Sequence, residues 1–336
     1  MDFYKILNSD ECHHKLQYKT GLNIDRQKFN PSGNCEPGGI YFAKEDILYF
    51  LDYGPWIRKV TLPEDAQIYE NPGEPKKWKT DKVILGEREN ITAEVIKRLI
   101  KEGANPTVDD DYPLRWAARS GQLNIVKFLI SITNSDLANS EALQYAAVYG
   151  HIDIVKLLIP LSDPKTDSNE ALRCAAENGH TEIVKLLIPV SDPNIYNNSA
   201  LQDASRNGYT EIVKLLIPIS DPKICNNEAL RLATKHGHTE IVKLLIPVSN
   251  PNTDNNEALK WSARCGYTEI VKLLIPVSNP KVENNYALQL AIEYEHTEVV
   301  KLLIPVSEIN DDIIEFCKTH CYNQEIRDLI ISNKPI

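Results

Sequence analysis

Cys12, His13, His14 and Cys35 are residue types that could hold a metal ion, since thiolate and imidazole are the usual ligands of zinc. Their spacing matches no zinc module, and we read them as ordinary side chains. With Tyr18, Glu36 and Glu45 they complete the set in residues 1–88 suited to nucleophilic or acid–base chemistry, but nothing in their order ties a nucleophile to a base. Gly38 and Gly39, after Pro37, read as a turn into a strand rather than a phosphate cradle, because no helix start or G-x-G-x-x-G pattern follows. Cys317 and Cys321 flank His320 at helical i, i+4 spacing without a second ligand pair, and read as buried thiols of a terminal repeat. Seven cysteines with no C-x-x-C pair fit a reducing compartment better than a disulfide framework. The expectation is a non-enzymatic chain with no catalytic residue, no metal and no cofactor.

Charge narrows the partners. The formal net charge is −10, with 13 Lys/Arg against 15 Asp/Glu in residues 1–90 and 24 against 32 in the rest, so neither part favours a phosphate backbone. Apolar runs such as "IVKLLI" are too short to cross a bilayer, and "MDFYKILNSDECHH" has no leader pattern. An intracellular monomer without nucleic-acid or membrane partners is expected.

The elements that must carry any site are written as a repeat. Lys127, Lys156, Lys185, Lys214, Lys243, Lys272 and Lys301 stand 29 residues apart, and so do Leu114, Leu143, Leu172, Leu201, Leu230, Leu259 and Leu288. Each unit predicts two short helices. The first, "NEALRCAAENG" from Asn169, has a candidate N-cap at Ser140, Asn169, Asn198, Asn227, Asn256 and Asn285, and closes on Gly150, Gly179, Gly208, Gly237 and Gly266. The second starts at Thr181, a candidate N-cap, runs through "IVKLLI" with Ile183, Val184, Leu186, Leu187 and Ile188 on a broad apolar face, and is expected to stop at Pro189. Helices this short are unstable alone, so stability must come from stacking, with doublets such as Ala146/Ala147 and Ala175/Ala176 allowing close approach.

The pattern "AL-x-x-AA-x-x-GH-x-E-IVKLLI" resembles the ankyrin repeat, and "YPLRWAARSGQLNIVKFLI" from Tyr112 is the copy nearest to it. The resemblance spans roughly residues 90–331. This chain is about four residues per unit shorter than the family's 33, and proline stands where glycine ends the second helix, which implies a reduced or absent β-hairpin finger. The fold expected is a mainly α, ankyrin-type solenoid of 29-residue helix-pair repeats with a small N-terminal α+β domain. Its divisions are residues 1–88 for that domain, 89–111 for a capping helix and linker, 112–308 for seven repeats, and 309–336 for a capping repeat and tail.

In residues 1–88, alternating stretches at 38–43, 56–62, 66–70 and 81–85 predict strands, and "KEDILYFLDYG" from Lys44 predicts a helix closed by Gly54. The segments around "LQYKTGLNIDRQKFNPSGNCEPGGIYFA" and "KVTLPEDAQIYENP" are similar to a module found in ankyrin repeat proteins of giant, mimivirus-type viruses. That resemblance implies a viral protein in a host cell but no role for the module.

Comparison of the copies separates invariant positions, which hold the stack, from variable ones, which are free for a partner. The clearest variable pairs follow the small-residue doublet: Arg119/Ser120, Val148/Tyr149, Glu177/Asn178, Arg206/Asn207, Lys235/His236, Arg264/Cys265 and Glu293/Tyr294. In ankyrin proteins the matching positions lie on the concave face and touch protein targets, so these fourteen are the candidate partner-binding residues. Trp116, Tyr145, Cys174, Leu232, Trp261 and Leu290 also vary and suggest packing into the stack, with Asp203 the exception. The resemblance also raises a ubiquitin-ligase adaptor, against which residues 309–336 are too short and repeat-like for an F-box segment, and a ligand or enzymatic activity in residues 1–88.

Overall fold

The computed structural model describes residues 2–32, 36–133 and 136–334. Two compact units divide the chain, Met1–Asp163 and Pro164–Ile336.

The first unit opens with strands β1 (Phe3–Leu7), β2 (Cys12–His13), β3 (Leu16–Gln17), β4 (Gly21–Ile24), β5 (Ile40–Ala43), β6 (Trp56–Thr61), β7 (Ile68–Glu70), β8 (Lys77–Thr80) and β9 (Lys82–Asn90). Seven form one antiparallel sheet in the order β4-β9-β6-β1-β5-β8-β7, and β2 and β3 form a separate hairpin. Leu7, Tyr18, Ile40, Phe42, Val60, Val83 and Leu85 make a buried core, flanked by Phe3, Trp56 and Trp78. The four stretches of alternation are all strands. β4 and β8 escape that pattern because they invert it: β8 buries Lys79 and Thr80, while β4 buries Asn23 and exposes Leu22 and Ile24. The segment before Gly54 is a 3-10 helix, Ile47–Tyr53, rather than an α-helix.

A lone helix, Ala93–Lys101, follows, with the Thr92 hydroxyl accepting the Val95 N–H. The sheet domain grips this start of the array. Tyr4 donates its hydroxyl to Glu102 (2.7 Å), Asn105 N–H donates to the Glu45 carbonyl (2.7 Å), and the Asp52 carboxylate accepts from both Tyr112 and Arg119.

The first unit continues with two helix pairs, Val108–Arg119 with Leu123–Ile130 and Asp136–Val148 with Ile152–Leu158. The second unit holds five more, beginning with Thr166–Glu177 and Thr181–Leu187, and ends on a charged pair, Asp311–His320 and Gln324–Ser332. The described residues after Asn90 contain no β-strand, so the hairpin finger is absent there. In the second helices Ile183, Val184 and Leu187 and their equivalents are buried, while Leu186 and Ile188 are half-buried. The small doublets are fully buried in every unit.

Three local expectations are corrected. The asparagines before the first helices do not cap them. Asn169, Asn198, Asn227, Asn256 and Asn285 are buried in the left-handed region at φ 59 to 65°, where asparagine is the most tolerant side chain after glycine. Their amides instead clasp the backbone 23 residues on: Asn169 donates to the Asp192 carbonyl (2.8 Å) and accepts its N–H (3.0 Å), Asn227 does the same with Asn250 (3.0 and 2.8 Å), and Asn285 with Glu308 (both 3.0 Å). Ser140 keeps the accepting half, from Asp163 N–H at 3.1 Å.

Thr181 is likewise the first helical residue and not a cap, since the turn through left-handed Gly179 already supplies backbone bonds, His180 N–H to Ala175 C=O and Thr181 N–H to Gly179 C=O. Pro189 does not stop the chain outright. The α-helix ends at Leu187 and a 3-10 turn, Ile188–Val190, carries the proline in its first positions, where its missing N–H costs no bond.

Candidate functional site

Helix length and closure fix where the variable pairs stand. Six of the first helices end at a left-handed glycine and the seventh at left-handed Glu295 (φ 58°), and the pair just before that residue is left at the surface. Ser120, Tyr149, Asn178, Arg206, Asn207, Lys235, His236, Arg264, Glu293 and Tyr294 are exposed, and Arg119, Val148, Glu177 and Cys265 are half-buried. Arg119 is already engaged by Asp52 of the sheet domain.

The glycines do more than close helices. In the turns of the first unit His151 covers Gly121, and in those of the second Tyr209, His238, Tyr267 and His296 cover Gly179, Gly208, Gly237 and Gly266. A Cβ on Gly208 would stand 2.7 Å from His238 Cε1. His151, His238 and His296 donate Nε2–H to the carbonyls of Arg119, Arg206 and Arg264 at 2.8–2.9 Å, which requires the proton on Nε2. The carbonyls of these variable arginines are thus held by the next repeat while their side chains stay at the surface.

Electrostatics differs along the second unit. Asp203 is buried between Arg173 (3.2 Å) and Arg206 (2.9 Å), and Arg173 also binds Glu170 (2.8 Å) and Glu177 (2.9 Å). Burial pushes the Asp203 carboxyl above its ordinary value, with the two arginines opposing. The Arg173 guanidinium holds Glu170 below the usual carboxylate range, and burial raises the adjacent Cys174 thiol to about 12. This end of the face is a structural ion network. Further along, Lys235 lies over the Trp261 ring (4.7 Å), and Arg264 lies between Trp261 (5.3 Å) and Tyr294 (5.2 Å). Trp116 and Trp261 are half-buried, and Cys174, Leu232 and Leu290 buried, but Tyr145 is 39% exposed and so part of the surface. Tyr286, 40% exposed and beneath Lys260 (5.6 Å), adds to this surface from outside the variable pairs. Its signal is a tyrosine where most units have glutamate, as at Glu170, Glu228 and Glu257.

Of the chemistry-bearing residues of the sheet domain, Cys12 and His13 line one cavity, with the His14 ring 4.0 Å from that of His13, and Tyr18, Glu36 and Glu45 stand apart from it. That cavity, of about 70 Å³, is lined by Lys5, Cys12, His13, Phe42, Phe50 and Tyr53, among others. His13 reaches it, whereas Tyr18 is buried beneath Lys5 Nζ (4.8 Å), Glu36 accepts from Asn30 and Ser32, and Glu45 lies elsewhere. Cys35 falls outside the described residues. Among the described residues no three His, Cys, Asp or Glu side chains gather as metal ligands. Cys317 and Cys321 are buried while His320 stacks on Phe316 at the surface (4.2 Å).

Burial, then the charges of Lys5 and His14, pushes His13 down from 6.5 to about 4. Between these values the unfolded chain holds a proton that the folded chain does not, so His13 lowers stability as pH falls through that window and has no effect above it. In urea titrations, the loss of stability between pH 7 and 4.5 is therefore expected to be larger for wild type than for His13→Gln. Equal losses would contradict the assignment.

The ankyrin repeat family model matches in three copies, residues 87–169, 160–228 and 219–286. Among curated proteins the chain is similar to several from Acanthamoeba polyphaga mimivirus. One named as an ankyrin repeat protein is 41% identical over 140 residues, covering 37% of this chain and 46% of the relative. A second so named is 33% identical over 136 residues, 38% and 66%. A third, without a functional name, is 34% identical over 133 residues, 38% and 96%. The chain thus spans about half to two thirds of the length of the first two. No described helix is long and apolar enough to cross a membrane. Helix pairs at 29-residue spacing, stacked through small doublets and matched by the family model over 200 residues, identify the chain as a member of the ankyrin repeat family.

Proposed function

We propose that the protein is a non-enzymatic interaction module that recruits another protein through the exposed ends of its first helices, the face that is concave in ankyrin proteins. The observation that carries this reading is the division within each unit: the second helix repeats with little change and is buried, whereas the pair before each glycine changes and is half-buried or exposed. Exposed tyrosine and arginine, as at Tyr149, Arg206 and Tyr294, are residue types favoured in binding hot spots. Arg119 contributes less to this surface because Asp52 holds it. We extend the proposal, on the viral relatives, to a monomer that acts on host factors inside the infected cell, and retain residues 1–88, 89–111, 112–308 and 309–336 as its functional divisions.

The test is a pull-down from host-cell extract comparing wild type with the combined Tyr149→Ala, Arg206→Ala, Tyr294→Ala variant. A partner is expected to be lost from the variant, and equal recovery of every partner by both would remove the assigned face.

A further inference from the structure

We propose that Lys235, Trp261, Arg264 and Tyr294 form a subsite for an acidic peptide segment of the partner, an inference that rests on the first-helix ends being the recruiting face. The chain is acidic, and in the second unit it neutralises the cations of its second helices: Lys185, Lys214, Lys243, Lys272 and Lys301 each bind the glutamate three residues earlier at 2.6–2.9 Å. On the first helices Arg173 and Arg206 share Asp203, and Lys260 binds Glu257 and Glu283. Lys235 and Arg264 break this rule. Both are exposed, and among the described residues no carboxylate lies within 4 Å of either, while aromatic rings hold both in place. The local field is positive, since after burial the charges of His238, Lys235 and Arg206 hold the His236 pKa down.

A cation resting on an aromatic face keeps its outward side for an anion. It has also lost part of its side-chain freedom in advance, which lowers the cost of binding. Lys235 and Arg264 are equivalent positions in consecutive units, and packed helices lie roughly 8–10 Å apart. A peptide in the polyproline II conformation advances about 3.1 Å per residue and returns a side chain to the same side every third residue, so carboxylates three residues apart match the two cations. Glu293, exposed at the next equivalent position, sets an end to the subsite and repels a longer polyanion. Together with the net charge of −10 this favours a short acidic stretch over nucleic acid.

The probe is a peptide of about twelve residues with glutamate at every third position and glycine or serine between, titrated while tryptophan emission is recorded. A lysine counterpart and an oligothymidylate of the same length are the comparisons. The glutamate peptide is expected to change the emission saturably, with Trp261→Phe losing that change and added salt weakening it. The folded Lys235→Glu, Arg264→Glu variant, checked by circular dichroism, is expected to bind at least about tenfold more weakly. Equal binding by that variant, no binding of the glutamate peptide, or tighter binding of the oligothymidylate would each overturn the proposal. In the pull-down, a partner lost with Tyr149, Arg206 and Tyr294 replaced but retained by the Lys235/Arg264 variant leaves the face intact and overturns only its acidic ligand. Recovery unchanged in both variants removes the face itself.

Discussion

Leu187→Asp is expected to unfold the middle of the array, whereas Glu177→Asp leaves it standing. Leu187 is fully buried in the second helix of its repeat, beside Ile183 and Val184 on the same face. Removing the leucine gives up about 1.5–3 kcal/mol of apolar burial. An unpaired carboxylate in its place adds a penalty of several kcal/mol or forces uptake of a proton. The two terms together approach the whole stability of an ordinary domain, about 5–15 kcal/mol. Because each repeat of a solenoid is held only by its neighbours, the loss weakens the interface with the repeat that follows and cannot be shared along the chain. Glu177 is half-buried, and its carboxylate makes one ion pair, with Arg173 at 2.9 Å, in a setting where such pairs contribute at most about 1 kcal/mol. Shortening it by one methylene leaves the helix and the stack intact. Thermal and urea unfolding followed by circular dichroism checks the pair, and similar midpoints for the two variants would contradict the assignment of faces.

The second helices were legible because one physical demand sets their letters: Ile183, Val184 and Leu187 must lie on one buried side, and every repeat states that demand again. Variation was equally informative at the surface, where Tyr149 and Tyr294 differ between copies and stand exposed. What the sequence hid depends on distant partners. An asparagine ahead of a helix can cap it or clasp another loop, and only the backbone 23 residues on distinguishes the two uses. The sheet was half legible for a similar reason. Strands with polar residues inside, such as Lys79 beneath the fold of "KWKT", carry no alternation to read. The Asp52–Arg119 contact joins a 3-10 helix to the first repeat, and neither local sequence predicts it. Trp261 could be read only as packing, because a single letter cannot show that two cations lie against it.

The asparagine clasp carries the second large effect, and Asn227 isolates it. Cys225, Asn226 and Asn227 take three consecutive left-handed conformations, and Asn227, at φ 60°, then ties its amide to both polar groups of the Asn250 backbone. Asn227→Ala removes the two bonds of the clasp and a third donated to the Thr253 hydroxyl, worth about 1 kcal/mol each, and places a Cβ with no compensating polar group in a left-handed site that costs about 1–2 kcal/mol, so a loss of roughly 4–5 kcal/mol is expected. Asn227→Gly loses the same bonds but tolerates the backbone, so it should fall between Ala and wild type. That order, Asn above Gly above Ala in urea midpoint, separates the clasp from the strain. Equal midpoints for Gly and Ala would show that the left-handed turn contributes nothing, and two silent variants would show the same of the clasp. Asn285 clasps Glu308 with the same pair of bonds at φ 59°, although its neighbours differ. If the clasp is a property of the repeat rather than of one loop, Asn285→Ala must destabilise the chain by a comparable amount.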